Sequence, residues 1–342
     1  MGPQINTDRH KDLLTRFHQK QLRIAVLLGG FSAEREISIK SGNAVARALT
    51  KQGHPVIVID VKDELVRGLA DHPIDIAFIA LHGEFGEDGG IQRLLEKSGI
   101  PYTGSGPEAS YRAMDKFTTK ELFAQNNIPT APYRTIHQST ALPQIQTLIK
   151  EIGDFPVVVK PRAQGSSVGV SIVSDQSALV SALTQAFNYG DDVLLEKYIK
   201  GREITVGILG EAPLPLIELR PKQPFYDYTA KYRDPETEYI VNPDLPPKTV
   251  RDIQSLGLKA HQVLGCAGFS RVDMIYSAND GPFVLEVNSI PGMTERSLVP
   301  KAAQAAGIDF PHLCERIIEL AIANPKSEIP NQRVGRIRKN VR

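Results

Sequence analysis

From Ile24 onward, short β-branched and aliphatic runs alternate with longer stretches whose apolar residues recur every three or four positions. The runs Ile24–Leu28, Val56–Asp60 and Ile76–Leu81 lack the alternation of a half-exposed strand, which predicts parallel strands buried on both faces. Between the first two, Ile37, Ala44, Val45, Ala48 and Leu49 fall at helical spacing, and Gly53 supplies a stop. Strand, helix, strand in that order is a βαβ unit, so residues 21–126 are expected to form a doubly wound, Rossmann-like domain.

After a linker from Asn126 to Pro132 the pattern changes. Helical spacing over Leu142–Ile152 and Gln176–Phe187 brackets strand-like runs at Val157–Lys160 and Val170–Val173, with two more at Val193–Leu195 and Ile204–Leu209. This reads as a compact α+β module over 127–212. A third block, 213–325, is predicted to hold a strand at Leu214–Leu219, a helix at Thr249–Leu264, paired strands at Val272–Tyr276 and Phe283–Val287, and a terminal helix near Phe310–Ala323. The fold class is therefore mixed, α/β followed by α+β, in several domains. A length of 342 residues agrees, since domains average roughly 150 residues.

Residues 220–247 fit neither period. They contain six prolines together with Tyr226, Tyr228, Tyr232 and Tyr239, and so long a connection is expected to be a functional lid. Residues 1–20 and 326–342 read as polar extensions. The second carries Lys326, Arg333, Arg336, Arg338, Lys339 and Arg342 against the single acid Glu328, as a solvated tail would.

Composition narrows the function classes. Forty basic residues nearly cancel 39 acidic ones, leaving a net charge of +1. No global field then draws the chain to nucleic acid or an anionic membrane, and any anion site must be local. No apolar run nears the roughly 20 residues that span a bilayer, and the N-terminus lacks the apolar core of a signal peptide. Cys266 and Cys314 stand alone, without CxxC or CxxH neighbours, so neither a disulfide framework nor a zinc site is expected and a reducing cytoplasm is the simplest location.

Four segments carry candidate chemistry. In Arg271-Val-Asp273 and Glu286-Val-Asn288 the polar residues share a strand face by period two. Paired as a hairpin, they would gather hard oxygen donors suited to magnesium, or simply form a polar strand face. Gln164-Gly-Ser-Ser-Val-Gly169 offers a phosphate-wrapping turn or an ordinary flexible hairpin; it is not a Walker A loop. Lys116 and Lys160 are candidate phosphate contacts or plain surface charge. Gly29-Gly-Phe-Ser32-Ala-Glu34 lies at the first strand-to-helix turn, where such sheets bind ligands, and Ser32 is equally placed as an N-cap. His82, ending the third predicted strand, belongs to the same rim or to the core. A fifth segment, Gly104-Ser-Gly106-Pro-Glu-Ala109, matches GxGxx[GA] but comes late and lacks a following acidic residue for a ribose.

Taken in order, these segments resemble the D-alanine–D-alanine ligases of the ATP-grasp superfamily. The likeness runs from about Ile24 to about Leu320 through GGFSAEREIS, LHGEFGEDG, MDK, VVVKPRAQGSSVGV, EKYIKGREITVGIL, FYDYTAKY, GFSRVDM and LEVNSIPGMTERSLVP. It implies an ATP-grasp fold behind the Rossmann-like domain, and ATP-dependent joining of two D-alanines through an acyl phosphate, releasing ADP and phosphate for peptidoglycan precursor synthesis. It also implies roles. Residues Glu196, Lys197 and Glu203 would meet adenine and ribose, while Lys116, Lys160 and Lys231 contact phosphates. Asp273, Glu286 and Asn288 would hold two magnesium ions, with manganese as a substitute. Arg271 and the Gly292 N–H would stabilise the oxyanion, and Glu34 would bind the first ammonium, with His82 beside it. Ser297 and Leu298 would engage the second carboxylate, and Tyr232 with Ser166 would latch the lid to Glu34. A homodimer is implied as well. Another carboxylate–amine ligase, or a D-alanine–D-lactate ligase, is the competing reading, and Tyr232 in the lid favours the amine substrate.

Overall fold

The computed structural model describes residues 7–64, 66–220 and 237–323. Lys231 and Tyr232 of the expected lid, and the C-terminal tail, lie outside them. Part of the N-terminal extension is more than a polar appendage. Helix α1 (Thr7–His18) buries Leu13 and Phe17, four residues apart, in the same apolar cluster as Ile24. Arg16 and Arg23 then converge on Asp75, with Nη2 of Arg16 donating at 2.6 Å and Nη2 of Arg23 at 2.8 Å.

Three parallel strands make the first sheet: β1 (Ile24–Gly29) lies between β2 (Val56–Val61) and β3 (Ile76–Ile79). Helix α2 (Arg35–Lys51) connects the first two strands and stops where Gly53 turns at φ +88°, as the spacing predicted. The βαβ unit is followed by α3 (Gly90–Lys97), α4 (Pro107–Met114) and α5 (Lys116–Gln125).

The second sheet is antiparallel, in the order β4 (Tyr133–His137), β7 (Asp192–Lys197), β5 (Val157–Pro161), β6 (Ser171–Val173). Helices α6 (Leu142–Glu151) and α7 (Gln176–Phe187) cover it, through Ile145, Ile149, Leu179 and Leu183. In the third sheet, β8 (Arg202–Leu209) carries β9 (Ala212–Pro213) and pairs with β10 (Ile217–Arg220), which pairs with β11 (Glu238–Val241). On its other side β8 pairs with β12 (Phe269–Ser277), whose next neighbour is β13 (Gly281–Asn288). The sequence grouping closed the central block at residue 212, whereas the hydrogen bonds of β8 run to the third sheet. Apolar spacing identifies a strand, not its partner. The chain crosses between sheets at Gly201, where a Cβ would lie 2.4 Å from the Tyr276 carbonyl oxygen.

Helix α8 (Pro247–Val263) packs Ile253 and Ala260 beneath Val206, Val272 and Met274. The last helices, α9 (Leu298–Ala305) and α10 (Phe310–Ala323), return to the first sheet, and Val299, Ile317 and Ile318 share a core with Ile24, Val45 and Phe269. One apolar core therefore joins the first and third sheets, which fixes the Gly-Gly turn relative to the β12–β13 hairpin. Gly104 and Ser105 serve this junction too. A Cβ on Gly268 would sit 3.4 Å from the Gly104 nitrogen, and Ser105 Oγ accepts from the Ala267 N–H at 3.1 Å. That segment is a packing turn.

Candidate active site

The β12–β13 register sets Asp273 opposite Glu286 and Arg271 opposite Asn288, with a bulge beginning after Asp273. Period two therefore does bring the four polar side chains to one face. Asp273 is buried and accepts four hydrogen bonds from three side chains. Arg271 grips it with Nε at 2.7 Å and Nη2 at 2.6 Å, Asn288 donates Nδ2 at 3.0 Å, and Thr205 on β8 donates Oγ1 at 2.9 Å. Thr205 was not singled out from sequence. Its signal was available, since it shares a face of β8 with Glu203 by the same period of two.

Seven of the predicted residues line one cavity of about 530 Å³ between the second and third sheets: Lys116, Lys160, Glu196, Lys197, Glu203, Asp273 and Glu286. Its apolar wall comes from Val158, Val170, Ile172, Ile199, Ile275 and Leu285. A flat aromatic ring fits such a slot, and carboxylates with lysines fit a polyanion carrying cations. Lys116 opens α5, where Asp115 caps the helix by accepting the Thr118 N–H at 2.8 Å. The Lys116 ammonium donates to the Gln164 carbonyl at 2.7 Å and lies 3.6 Å from Glu286. Neither Lys116 nor Lys160 is plain surface charge. Lys197 is differently used, its ammonium donating to the Asp154 carbonyl at 2.8 Å and also to that of Gly153.

Glu196 is almost wholly buried and forms ion pairs with Lys160 through Oε2 and with Lys120 through Oε1. Burial pushes its carboxyl pKa up, but the two ammonium groups outweigh that and hold it well below the usual carboxylate range. Lys120 is the other residue that sequence reading missed; it lies one helical turn beyond Lys116.

The loop after β5 is a constrained turn rather than a flexible hairpin. Ser166 and Ser167 adopt φ of +52° and +59° in succession, and the Val168 N–H donates to the Gly165 carbonyl at 3.0 Å. Such left-handed non-glycine residues are costly and persist where the surroundings enforce them. Ser166 donates a short hydrogen bond to the buried Glu34. Glu34 precedes α2 directly, so it, not Ser32, occupies the N-cap position. Ser32 instead accepts the Glu34 N–H at 3.2 Å and donates to the His82 carbonyl at 2.7 Å. Gly83 and Gly165 both approach this carboxylate, and a Cβ on either would lie 3.0 Å from Glu34 Oε2.

His82 is buried with Nε2 3.4 Å from Ser41 Oγ, and that hydroxyl accepts the Met293 N–H at 3.2 Å. The rim of the first sheet thus touches the loop carrying Gly292. Ser297 precedes α9, with Oγ 2.8 Å from Thr294 Oγ1, and Leu298 is buried behind it. A Cβ on Gly292 would come 3.0 Å from Ser297 Oγ. A small cavity lined by Lys116, Gly165, Glu286 and Asn288 lies between the turn after β5 and the β12–β13 hairpin.

Residues 122–319 match the family model described as D-ala D-ala ligase C-terminus, and residues 63–105 match that of the D-ala D-ala ligase N-terminus. A protein named D-alanine–D-alanine ligase from Geobacter sulfurreducens is 46% identical over 316 residues, covering 92% of this chain and 99% of the relative. The chain belongs to the D-alanine–D-alanine ligase family. A second such relative, from Trichlorobacter lovleyi, is 48% identical over 305 residues, 89% of this chain and 96% of its own. The crystal structure of the Bacillus anthracis D-alanine–D-alanine ligase complexed with ATP superposes with a TM-score of 0.78 at 36% identity, covering 88% of this chain and 98% of that one. Ligation of two D-alanine molecules, with ATP as co-substrate, for peptidoglycan precursor synthesis is accordingly the activity of this chain. Among the described residues no helix is long and apolar enough to cross a membrane.

Proposed function

We propose that this cleft joins the two D-alanines through an acyl phosphate. The observation that carries the reading is one cavity with an apolar slot at one side and Lys116, Lys160, Asp273 and Glu286 at the other, adjoining the Glu34 latch. The purine would lie in the slot, its amino group donating to Glu196. Glu203 would meet the ribose and Lys197 the base. The phosphates would face Lys116, Lys160 and Lys231. Glu34, aided by His82, would hold the ammonium of the first D-alanine, with Ser297 and Leu298 on the carboxylate of the second.

In the first step a carboxylate oxygen of D-alanine attacks the γ-phosphorus, and the bond to the β-phosphate oxygen breaks, releasing ADP. In the second, the amine of the other D-alanine attacks the acyl carbon, loses a proton, and phosphate departs. Both steps concentrate negative charge, which Arg271 and the Gly292 N–H would meet. Ser166, with Tyr232 from the lid, would keep water from the acyl phosphate. The donor set of Asp273, Glu286 and Asn288 suits magnesium or manganese, all three being hard oxygen donors. Two such ions would neutralise phosphate charge when bound. The two isolated, buried cysteines, Cys266 and Cys314, fit a reducing cytoplasm, and family likeness implies a homodimer.

Purified protein with magnesium and ATP is expected to release phosphate only when D-alanine is present, and to form a product with the mass of D-alanyl-D-alanine. Equal turnover of L-alanine would sink the reading. A second expectation concerns Thr205. Its hydroxyl fixes Asp273, and loss of such a supporting partner typically weakens metal binding about 10–100-fold. Thr205→Val should therefore raise the magnesium concentration for half-maximal activity about tenfold, with kcat largely restored at saturating metal. Magnesium titrations of both proteins check this.

A further inference from the structure

The ion pairs around Glu196 contain a charge that the reaction does not consume. Lys120 is about 1% exposed, and a buried ammonium is strongly disfavoured unless paired. It is paired with Glu196 and donates a short hydrogen bond to Thr130 Oγ1, which itself donates to the Val284 carbonyl at 2.7 Å. The ring of Tyr133 lies 5.8 Å from the ammonium. Helix α5, the linker and strands β4 and β13 therefore hold Lys120 in place. Lys120 does not line the cavity, whereas Glu196 and Lys160 do. It reaches the cleft only through the Glu196 carboxylate.

The two oxygens of Glu196 are engaged differently. Oε1 faces Lys120, in the interior, and Oε2 faces Lys160, at the cavity wall. A nucleotide that draws Lys160 toward its phosphates frees Oε2 for a donor on the base. Lys120 is then the cation left to keep that carboxylate ionised. An ionised carboxylate can only accept hydrogen bonds, whereas a protonated one can also donate.

We propose that Lys120 is a specificity-positioning residue, which fixes Glu196 as an acceptor-only group and so makes the cleft select 6-aminopurine over 6-oxopurine nucleoside triphosphates. This rests on the reading of Glu196 as the contact of the purine amino group. Groups facing Glu196 from each neighbouring element agree with the assignment. They are Lys120 from α5, Lys160 from β5 and Tyr133 from β4, with the charges of Glu203 and Glu286 acting on Lys160. With Lys120 gone and Lys160 on phosphate, burial would dominate and the carboxyl pKa would rise.

The test compares ATP with ITP, its 6-oxo analogue, in the full-length enzyme with D-alanine and magnesium, for wild type, Lys120→Met, Glu196→Gln and Thr130→Val. Lys120→Met is expected to raise KM for ATP about tenfold with kcat changed less than threefold, the scale of one hydrogen bond to a charged group. KM for ITP should rise less or fall, shrinking the ATP preference. The KM for ATP of this variant should also improve as pH rises, because alkali ionises Glu196, and that dependence should be weaker in wild type, where Lys120 still faces the carboxylate. Equal losses for ATP and ITP at every pH, with Glu196→Gln losing discrimination, would overturn the role of Lys120 alone. Unchanged discrimination in Glu196→Gln would overturn the base contact beneath it. Should Lys120→Met not fold, Thr130→Val, which keeps every charge, decides the matter. A smaller shift toward ITP supports the proposal, and an unchanged ATP/ITP ratio rejects it.

Discussion

Arg271→Met is expected to lower kcat about 10²–10³-fold while the KM values for ATP and D-alanine move only a few fold. The side chain is buried, and its guanidinium is clamped to both oxygens of Asp273. It therefore cannot swing toward one bound state and away from another. A fixed donor of this kind contributes most where charge develops during reaction, which is why its loss should appear in kcat. Methionine retains much of the arginine stem, so packing changes little. Asp273 would still accept from Thr205 and Asn288, and the carboxylate should stay in place. Steady-state kinetics at saturating magnesium, beside a thermal melt to confirm folding, check the prediction. A variant with normal kcat and a raised KM would show instead that Arg271 binds ground-state substrate.

The same hairpin shows what a sequence can disclose. Period two places Arg271, Asp273, Glu286 and Asn288 on one face, and their register agrees. Parallel strands were equally legible, and β1, covered on both sides, has no polar positions to interrupt it, but the expectation of two buried faces fails for β2, an edge strand that leaves Val58 and Asp60 exposed. Partnerships were not legible. The apolar alternation of β8 is the same whichever sheet it joins, and only Gly201 and the pairing with β12 decide. Local hydrogen-bond choices were hidden too. Ser32 has the composition of an N-cap, yet the helix begins two residues later than that role requires, with Glu34 at the N-cap position, and the Ser32 hydroxyl bridges to the His82 carbonyl. Lys120 and Thr205 escaped because their importance lies in the charges they touch across the fold. Leu13 and Phe17 escaped because a polar average conceals a two-residue apolar stripe.

Glu286→Ala should abolish detectable phosphate release at ordinary magnesium concentrations. Two effects act in one direction. Removing one of only two carboxylates from an oxygen-donor set weakens the affinity of a hard divalent cation. It also leaves Lys116, buried and 3.6 Å from Glu286, without that partner, and unpaired buried charge is costly. The lost negative charge should draw Lys116 and Lys160 more tightly onto nucleotide phosphates. ATP binding in the absence of metal should consequently persist or strengthen while turnover fails, a split that general unfolding could not produce. Calorimetry with ATP alone, followed by magnesium titration of phosphate release, separates the two outcomes. Glu286→Gln should behave likewise, since the amide keeps the volume and loses the charge, and ordinary activity in either variant at ordinary magnesium would remove Glu286 from the metal site.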